Sequence, residues 1–98
     1  MQTLAELQRI IHAHWGELRA GYKVSKLGVF GSYARGEQAE GSDLDVLVEF
    51  AEPVGLRWIH LADRLEELLQ VRVDLVTPDA IKANRRQQIL ADLVDVTA

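Results

Sequence analysis

The sequence predicts a small α/β (α+β) domain in which helices cover one face of a mixed β-sheet. The chain has 98 residues, which is within the usual range for one domain, so we expect a single domain spanning residues 1–98. Its 48% hydrophobic and 27% charged residues are typical of a globular domain with a modest core. The apolar spacing alternates between helical and strand-like periods, and it predicts the order helix, strand, short helix, strand, helix, strand, helix.

The first half of the chain contains a long predicted helix and the first strand. Apolar residues at three- and four-residue spacing predict a helix from Thr3 to about Ala20, with Thr3 as N-cap and Gly21 as the stop. The apolar run from Lys26 to Phe30 predicts a buried strand that ends at Gly31-Ser32. A short helix is expected from Tyr33 to Gly36.

The second half contains two further strands and two helices. After a polar loop at Glu37 to Ser42, strict alternation over Asp43 to Phe50 predicts a strand with one apolar and one partly acidic face. A second long helix is expected through Leu56 to Leu69, and a third strand over Val71 to Val76. Thr77-Pro78-Asp79 then resembles a helix start, and the last helix is expected to run from there to about Leu93.

Three aspartates are the candidate metal-binding and catalytic residues. Asp43 and Asp45 lie two apart at a strand start, so both side chains leave one face about 6–7 Å apart and repel each other unless a cation lies between them. Such hard oxygen ligands suit Mg²⁺, which also takes water and substrate phosphate. If its strand is a neighbour, Asp74 completes a three-carboxylate cluster able to hold two metal ions. The alternatives are a solvated strand start for the pair and an edge-strand charge for Asp74.

Gly31 and Ser32 are the candidate phosphate-binding residues. A strand that ends in Gly-Ser and opens a helix offers backbone amides and a hydroxyl to a phosphate group. Arg35, one turn on, can add a cationic contact or can instead pair with a surface carboxylate such as Glu37. A phosphate cradle beside metal-binding carboxylates is the equipment for nucleotidyl transfer, in which one metal activates the attacking hydroxyl and the other holds the triphosphate.

Other polar residues give a less decisive pattern. Lys82, Arg85 and Arg86 are consistent with a solvated helix face, with contacts to a triphosphate or with contacts to an acidic patch of a partner. His12 and His14 lie two apart on a predicted helix, so their side chains point to different sides and do not share a metal ion.

Composition excludes several classes of function. The chain has no cysteine, which excludes disulfides, thiolate metal sites and cysteine nucleophiles. Its formal charge of −4 disfavours direct nucleic-acid binding by displacement of counterions. We find neither an apolar run long enough to span a membrane nor a secretion signal, and we therefore expect a cytoplasmic location.

The motifs resemble a known superfamily. Gly31-Ser32, ten residues, then Asp43-x-Asp45 is similar to the signature of polymerase-β-type nucleotidyltransferases. The fuller string, Gly-Ser-Tyr-Ala-Arg-Gly followed by Gly-Ser-Asp-Leu-Asp-Val-Leu-Val, resembles the minimal nucleotidyltransferases, which are the MNT proteins of prokaryotic HEPN–MNT toxin–antitoxin pairs. Val73 to Pro78 resembles the family's third acidic strand and following helix, so the likeness covers essentially the whole chain.

The resemblance implies a polymerase-β palm-like core and a defined set of roles. Asp43 and Asp45 would bind two Mg²⁺ ions, and Asp74 would position or deprotonate the acceptor hydroxyl. ATP would be the donor substrate, and the acceptor would be a tyrosine of a HEPN RNase toxin that AMP units silence. The nucleotide-binding residues it implies are Gly31, Ser32, Arg35 and Ser42.

The leading hypothesis is therefore a Mg²⁺-dependent protein adenylyltransferase that acts as the antitoxin of a HEPN toxin. Two alternatives are weighed against it. The first is a nucleotidyltransferase for a small molecule such as an aminoglycoside, although larger relatives of that kind carry an extra helical domain. The second is a non-catalytic, nucleotide-binding antitoxin that neutralises its partner by occlusion.

Overall fold

The computed structural model describes residues 2–97 and contains one mixed four-stranded sheet with helices. The strands are β1 (Val24–Phe30), β2 (Leu44–Phe50), β3 (Val73–Val76) and β4 (Val94–Asp95). The helices are α1 (Leu4–Ala13), α2 (Trp15–Tyr22), α3 (Ser32–Arg35), α4 (Arg57–Leu69) and α5 (Ala83–Asp92). The strand order is β3-β2-β1-β4, with β2 and β3 parallel and the other pairs antiparallel.

One face of the sheet forms the main core under α1, α2 and α4. Leu27 and Val29 of β1 and Val46 and Val48 of β2 point to this face and are almost completely buried. Side chains on a strand alternate in direction, so these residues occupy every second position. The helices contribute Leu7, Ile11, Leu18, Leu61, Leu65 and Leu69.

The opposite face of the sheet is covered only in part, by α5. Phe30 and Leu47 point to this face and form a second, smaller cluster with Ile89 of α5. The predicted mixed sheet with helices is confirmed, but the helices do not all share one face as expected. The difference arises because α5 places Ile89 against Phe30 and Leu47, on the side that α1, α2 and α4 leave open.

The first predicted helix is divided into two. Thr3 is the N-cap as predicted: the Glu6 N–H donates to Thr3 Oγ1 at 3.2 Å, and the Thr3 N–H donates to Glu6 Oε1 at 3.1 Å. His14 (φ −109°, ψ 12°) separates α1 from α2. The second helix ends at Tyr22 with Lys23 (φ 61°) as its C-cap, and it does not stop at Gly21. Apolar spacing continues through a one-residue interruption, so it does not detect the break.

The later elements also differ from the prediction at their ends. Pro78–Ala80 forms a separate 3₁₀ turn, so α5 begins only at Ala83. Helix α4 begins at Arg57, one residue after the predicted start at Leu56, and Leu56 and Ile59 are 77% and 47% exposed. Strand β4 was not predicted, because two residues are too few for a periodic pattern. Across the described range 2–97, none of the helices is both long and apolar enough to cross a membrane.

Candidate active site

Strand register brings the three predicted aspartates to one edge of the partly covered face. Asp45 pairs with Asp74 across the parallel strands β2 and β3, and with Phe30 on the other side. Paired residues on neighbouring strands point to the same face about 4.8 Å apart. Asp43 lies two residues before Asp45, where the chain enters β2. The strands of Asp45 and Asp74 are therefore neighbours, which is the condition under which Asp74 was expected to complete the carboxylate cluster.

Electrostatics show that the three carboxylates face one another. The pKa of Asp45 is raised above its ordinary value, first because the side chain is partly buried, and then because the negative charges of Asp74 and Asp43 oppose its ionisation. The cationic side chains of Arg85 and Arg35 act in the opposite direction. A positive charge placed between the carboxylates would relieve this repulsion.

Gly31 lies directly against the central carboxylate. Its φ of +77° belongs to a region that glycine adopts at little cost, and an added Cβ would lie 2.2 Å from Asp45 Oδ2. The turn after β1 therefore approaches Asp45 more closely than any side-chain-bearing residue would allow. This contact places the candidate phosphate-binding backbone beside the candidate metal ligands.

Helix α3 begins immediately after this glycine. Gly31 is its N-cap and Ser32 its first residue, so the helix begins one residue before Tyr33, where the sequence predicted its start. The cap residue moves by one position because the chain turns at Gly31, whose φ is positive. The first backbone N–H groups of a helix have no partner inside that helix. The Ser32 hydroxyl is consequently not used for capping.

Two clefts flank Asp45. The first, which we call the Gly31 cleft, has a volume of about 410 Å³ and is lined by Gly31, Ser32, Ser42, Asp43, Asp45 and Arg85, among others. The second, the Asp74 cleft, has a volume of about 170 Å³, and its polar lining consists of Asp45, Asp74, Lys82 and Arg85. A larger concavity of about 620 Å³ includes Ser42 and Arg72 but none of the three aspartates. We place the candidate site in the two clefts because the acidic groups lie there.

Arg35 is engaged by carboxylates. Its Nε lies 2.8 Å from Glu37 Oε1, and its Nη1 lies 2.6 Å from Asp92 Oδ2. These contacts raise the pKa of Arg35, with the Glu37 hydrogen bond making the largest contribution. The pairing with Glu37 was the alternative left open by the sequence. The sequence did not predict the contact with Asp92, because Asp92 lies 57 residues from Arg35 and no local pattern indicates that the two side chains meet.

Ser42 closes the loop that leads into the site. The Ala39 N–H donates to Ser42 Oγ at 2.9 Å, and the Ser42 N–H donates to the Ala39 carbonyl at 3.0 Å. The residue therefore has a turn role in addition to lining the Gly31 cleft. Beside it, Asp43 Oδ1 lies 3.8 Å from Arg72 Nε on the exposed surface.

The donor set fits a divalent cation that is shared with a substrate. Within residues 2–97, no group of three or more histidine, cysteine or acidic side chains could hold a metal ion. Mg²⁺ commonly takes only one or two carboxylates and completes its shell with water and substrate phosphate. The mutual repulsion at Asp45 supports this kind of shared binding. The two-metal, three-carboxylate centre itself stays a prediction.

Comparison with known proteins identifies the class. Residues 11–96 match the family model of the nucleotidyltransferase domain, and the chain belongs to this family. It is 46% identical over 97 residues to protein adenylyltransferase MntA of Thermococcus cleftensis, and the match covers 98% of each protein. The resemblance inferred from the Gly-Ser and Asp-x-Asp motifs is thereby confirmed.

Two solved structures support the same assignment. A chain of a toxin–antitoxin crystal structure with AMP-PNP has a TM-score of 0.70 and 29% identity, with coverage of 91% of this chain and 71% of that one. The structure of the tri-AMPylated Shewanella oneidensis HEPN toxin in complex with the MNT antitoxin gives a TM-score of 0.61 and 25% identity, again covering 91% and 71%. The predicted minimal nucleotidyltransferase fold is confirmed.

Proposed function

We propose that this nucleotidyltransferase is an antitoxin that transfers AMP from ATP to a tyrosine of a cognate HEPN RNase toxin. The observation that carries the proposal is the register that pairs Asp45 with Asp74, together with the approach of Gly31 to Asp45. The adenylyltransferase name of the relative and the AMPylated toxin in the similar complex support it. We place this activity in the cytoplasm, where ATP is available, and in one domain spanning residues 1–98.

The proposed roles follow from position. Asp43 and Asp45 would hold Mg²⁺ together with phosphate oxygens, which would activate the acceptor hydroxyl and stabilise the leaving pyrophosphate. Asp74 would orient the acceptor hydroxyl and take its proton. The phenol oxygen then bonds to the α-phosphorus, the bond from that phosphorus to the bridging oxygen breaks, and pyrophosphate leaves.

The nucleotide would be held in the Gly31 cleft. Gly31 and Ser32 offer backbone amides and a hydroxyl there, and Ser42 lines the same space. Arg35, also proposed as a nucleotide ligand, lines this cleft but holds Glu37 and Asp92. A phosphate that uses the remaining N–H donors of Arg35 would share the guanidinium with both carboxylates.

Label transfer tests the activity. Wild-type protein incubated with α-labelled ATP, Mg²⁺ and its cognate toxin is expected to label the toxin, and the Asp43→Asn/Asp45→Asn variant is expected to leave it unlabelled. Glu49→Gln is the matched control, because Glu49 is an exposed acid on the same strand that lines neither cleft. Absence of labelling by the wild type, or equal labelling by the double variant, would reject adenylyl transfer.

The acceptor is tested on the labelled toxin. Mass spectrometry of its peptides is expected to find AMP on a tyrosine, and replacement of that tyrosine by phenylalanine should abolish labelling. AMP on a different residue type would retain the transferase activity and overturn the tyrosine assignment. Omission of Mg²⁺, with EDTA present, is expected to stop the transfer.

A second candidate function is neutralisation by occlusion alone. Leu56, Trp58 and Ile59 form an exposed apolar group at the start of α4, and such a group favours contact with another protein. If occlusion suffices, the Asp43→Asn/Asp45→Asn variant will still inhibit the toxin's RNase activity, whereas Leu56→Ser/Ile59→Ser will not. The reverse outcome supports inhibition through AMP transfer.

A further inference from the structure

The site needs a cation for the phosphates that lie beyond the transferred one. An ATP triphosphate carries most of its negative charge on the β- and γ-phosphates, and it would enter a site that already contains three aspartates. Mg²⁺ at Asp43 and Asp45 would offset part of this repulsion. Fixed cationic side chains near the Gly31 cleft are the remaining source of positive charge.

Arg35 is poorly placed to supply that charge. Its guanidinium already contacts Glu37 and Asp92 at 2.8 and 2.6 Å. These two carboxylates already offset its charge, so a phosphate bound by its remaining N–H donors would be repelled by both. Arg72 is also engaged, at 3.8 Å from Asp43, and lines neither the Gly31 nor the Asp74 cleft.

Arg85 has no such engagement within the described residues 2–97. It lies in the first turn of α5, four residues before Ile89, so both side chains occupy the same helix face. Ile89 anchors this face on Phe30 and Leu47, and Arg85 consequently lines both the Gly31 cleft and the Asp74 cleft. Among residues 2–97, it takes part in none of the ion pairs within 4.0 Å.

The field of Arg85 reaches the central carboxylate. Arg85 and Asp45 line the same two clefts, so the guanidinium faces the space beside the central carboxylate. Its neighbours differ in this respect: Lys82 lines only the Asp74 cleft, and Arg86 lines neither cleft. Position on α5 thus separates three basic residues that the sequence alone could not distinguish.

We propose that Arg85 binds the β- and γ-phosphates of ATP from helix α5, opposite the Gly31-Ser32 turn. The inference rests on the proposed adenylyl transfer and names the residue that recognises the triphosphate in it. Since AMP lacks both phosphates, Arg85 acts on the binding of ATP and of non-hydrolysable triphosphates, and it leaves AMP binding unchanged.

Equilibrium binding to the full chain tests this inference without requiring the toxin. AMP-PNP and AMP are titrated, with Mg²⁺ present, into the wild type, Arg85→Ala and the matched control Arg86→Ala. We expect Arg85→Ala to weaken AMP-PNP binding about tenfold, which corresponds to about 1.4 kcal/mol, while AMP binding changes by less than about twofold, which is about 0.4 kcal/mol. Arg86→Ala should match the wild type for both nucleotides, and Arg85→Lys should restore part of the loss.

The outcomes separate this inference from the proposed function. If the wild type labels the toxin but Arg85→Ala binds AMP-PNP normally, Arg85 is not the triphosphate ligand and the transferase proposal stands. An equal loss for AMP-PNP and AMP, or an equal effect of Arg86→Ala, also overturns it, because neither depends on the β- and γ-phosphates. Since Arg85 is exposed, its replacement should leave the thermal unfolding midpoint unchanged.

Discussion

The two faces of the sheet carry different kinds of residue on the same strands. Towards α1, α2 and α4, β2 presents Leu44, Val46 and Val48, each at most 1% exposed. Towards α5, the same strand presents Asp45 and Leu47, with only a small apolar cluster around them. The first face has no charged side chain in its core, because none of the buried residues within the described range carries a charge.

Residues that stabilise the fold and residues of the candidate active site therefore alternate along the same strand. Strand side chains alternate with a period of two, so a strand that is anchored on its apolar face holds its other face in a fixed position. Asp45 is flanked in sequence by the buried residues Leu44 and Val46, which leave its backbone little freedom. The helix-covered face therefore serves as a support for carboxylates that repel one another. Changes on the two faces should have distinguishable effects.

Truncation on the helix-covered face should cause the largest loss of stability. Leu65→Ala removes a side chain that is 1% exposed and is expected to lower the free energy of unfolding by about 2–5 kcal/mol, because it leaves a cavity in the core. Urea unfolding of both proteins measures the difference. Leu90→Ala is the control, since Leu90 is 55% exposed and should cost little. Equal losses for the two variants would contradict the division between faces.

A methyl group at Gly31 should act mainly on activity. Gly31→Ala places a Cβ against Asp45 Oδ2 and also strains a backbone with φ of +77°, so the carboxylate must move. We expect a loss of toxin labelling of about 100-fold, as for small displacements of reacting groups, and a stability loss of about 1 kcal/mol from the backbone strain.

Gly36→Ala provides the comparison for this variant. Gly36 has a similar φ of +70°, but an added Cβ would meet nothing within 4 Å. Its ψ of 24° places it in the left-handed helical region, which alanine adopts at a smaller cost than the ψ of −153° at Gly31. Gly36→Ala should therefore lose less stability than Gly31→Ala and should retain toxin labelling. If both alanine variants lose labelling equally, the effect comes from the backbone and not from the contact with Asp45.

Charge at Asp45 should make stability depend on pH. The pKa of Asp45 is raised above its ordinary value of 3.8, so the folded protein favours the protonated carboxyl group. The stability that this preference contributes is complete below the ordinary pKa and is lost as the pH rises through the folded-state pKa. Asp45→Asn removes this loss. The variant should be more stable than the wild type at pH 7, and the difference should shrink as the pH falls towards 3.

Urea unfolding at a series of pH values between 3 and 7 gives this comparison. Asp63→Asn, which changes an exposed acid on α4, measures the background of removing one charge. A stabilisation by Asp45→Asn that does not vary with pH would show that ionisation is not its cause.

Strands β1, β2 and β3 and the placement of the candidate aspartates followed from sequence because they depend on short-range alternation. The period of two predicted that Asp43 and Asp45 lie on the face opposite Leu44 and Val46. The structure places Asp45 there, and Asp43, just before β2, lines the Gly31 cleft with it. The position of Asp74 required only that β2 and β3 be neighbours. These features are fixed by local geometry together with one pairing.

The parts that sequence missed depend on long-range packing. Ile89, Leu90 and Leu93 gave an apolar pattern for the last helix, but that pattern does not say which face of the sheet α5 covers. In the structure Ile89 is buried while Leu90 points outward. The roles of Arg35 and Arg85 depend on how α5 packs on the sheet. This packing brings Asp92 to Arg35 and places Arg85 in the lining of both clefts.

Loss of the ion pair between Arg35 and Asp92 should have the smallest effect on stability. Asp92→Asn removes the partner of Arg35 Nη1 but leaves Glu37 on Nε, so one ion pair still holds the guanidinium. The Arg35 side chain is 42% exposed and that of Asp92 is 13% exposed, so water and salt screen this pair only in part. We expect a small fall in the thermal unfolding midpoint that shrinks at 1 M NaCl, where the Debye length is about 3 Å.

The same variant also bears on the choice between Arg35 and Arg85. If Arg85 recognises the triphosphate, releasing Arg35 from Asp92 should leave AMP-PNP affinity close to that of the wild type. A marked gain in AMP-PNP affinity would show that Asp92 competes with phosphate for Arg35, and the Arg35→Ala variant would then remove that gain. In that case the ion pair would affect nucleotide binding as well as stability: Asp92 would weaken the binding of AMP-PNP in addition to linking α5 to α3.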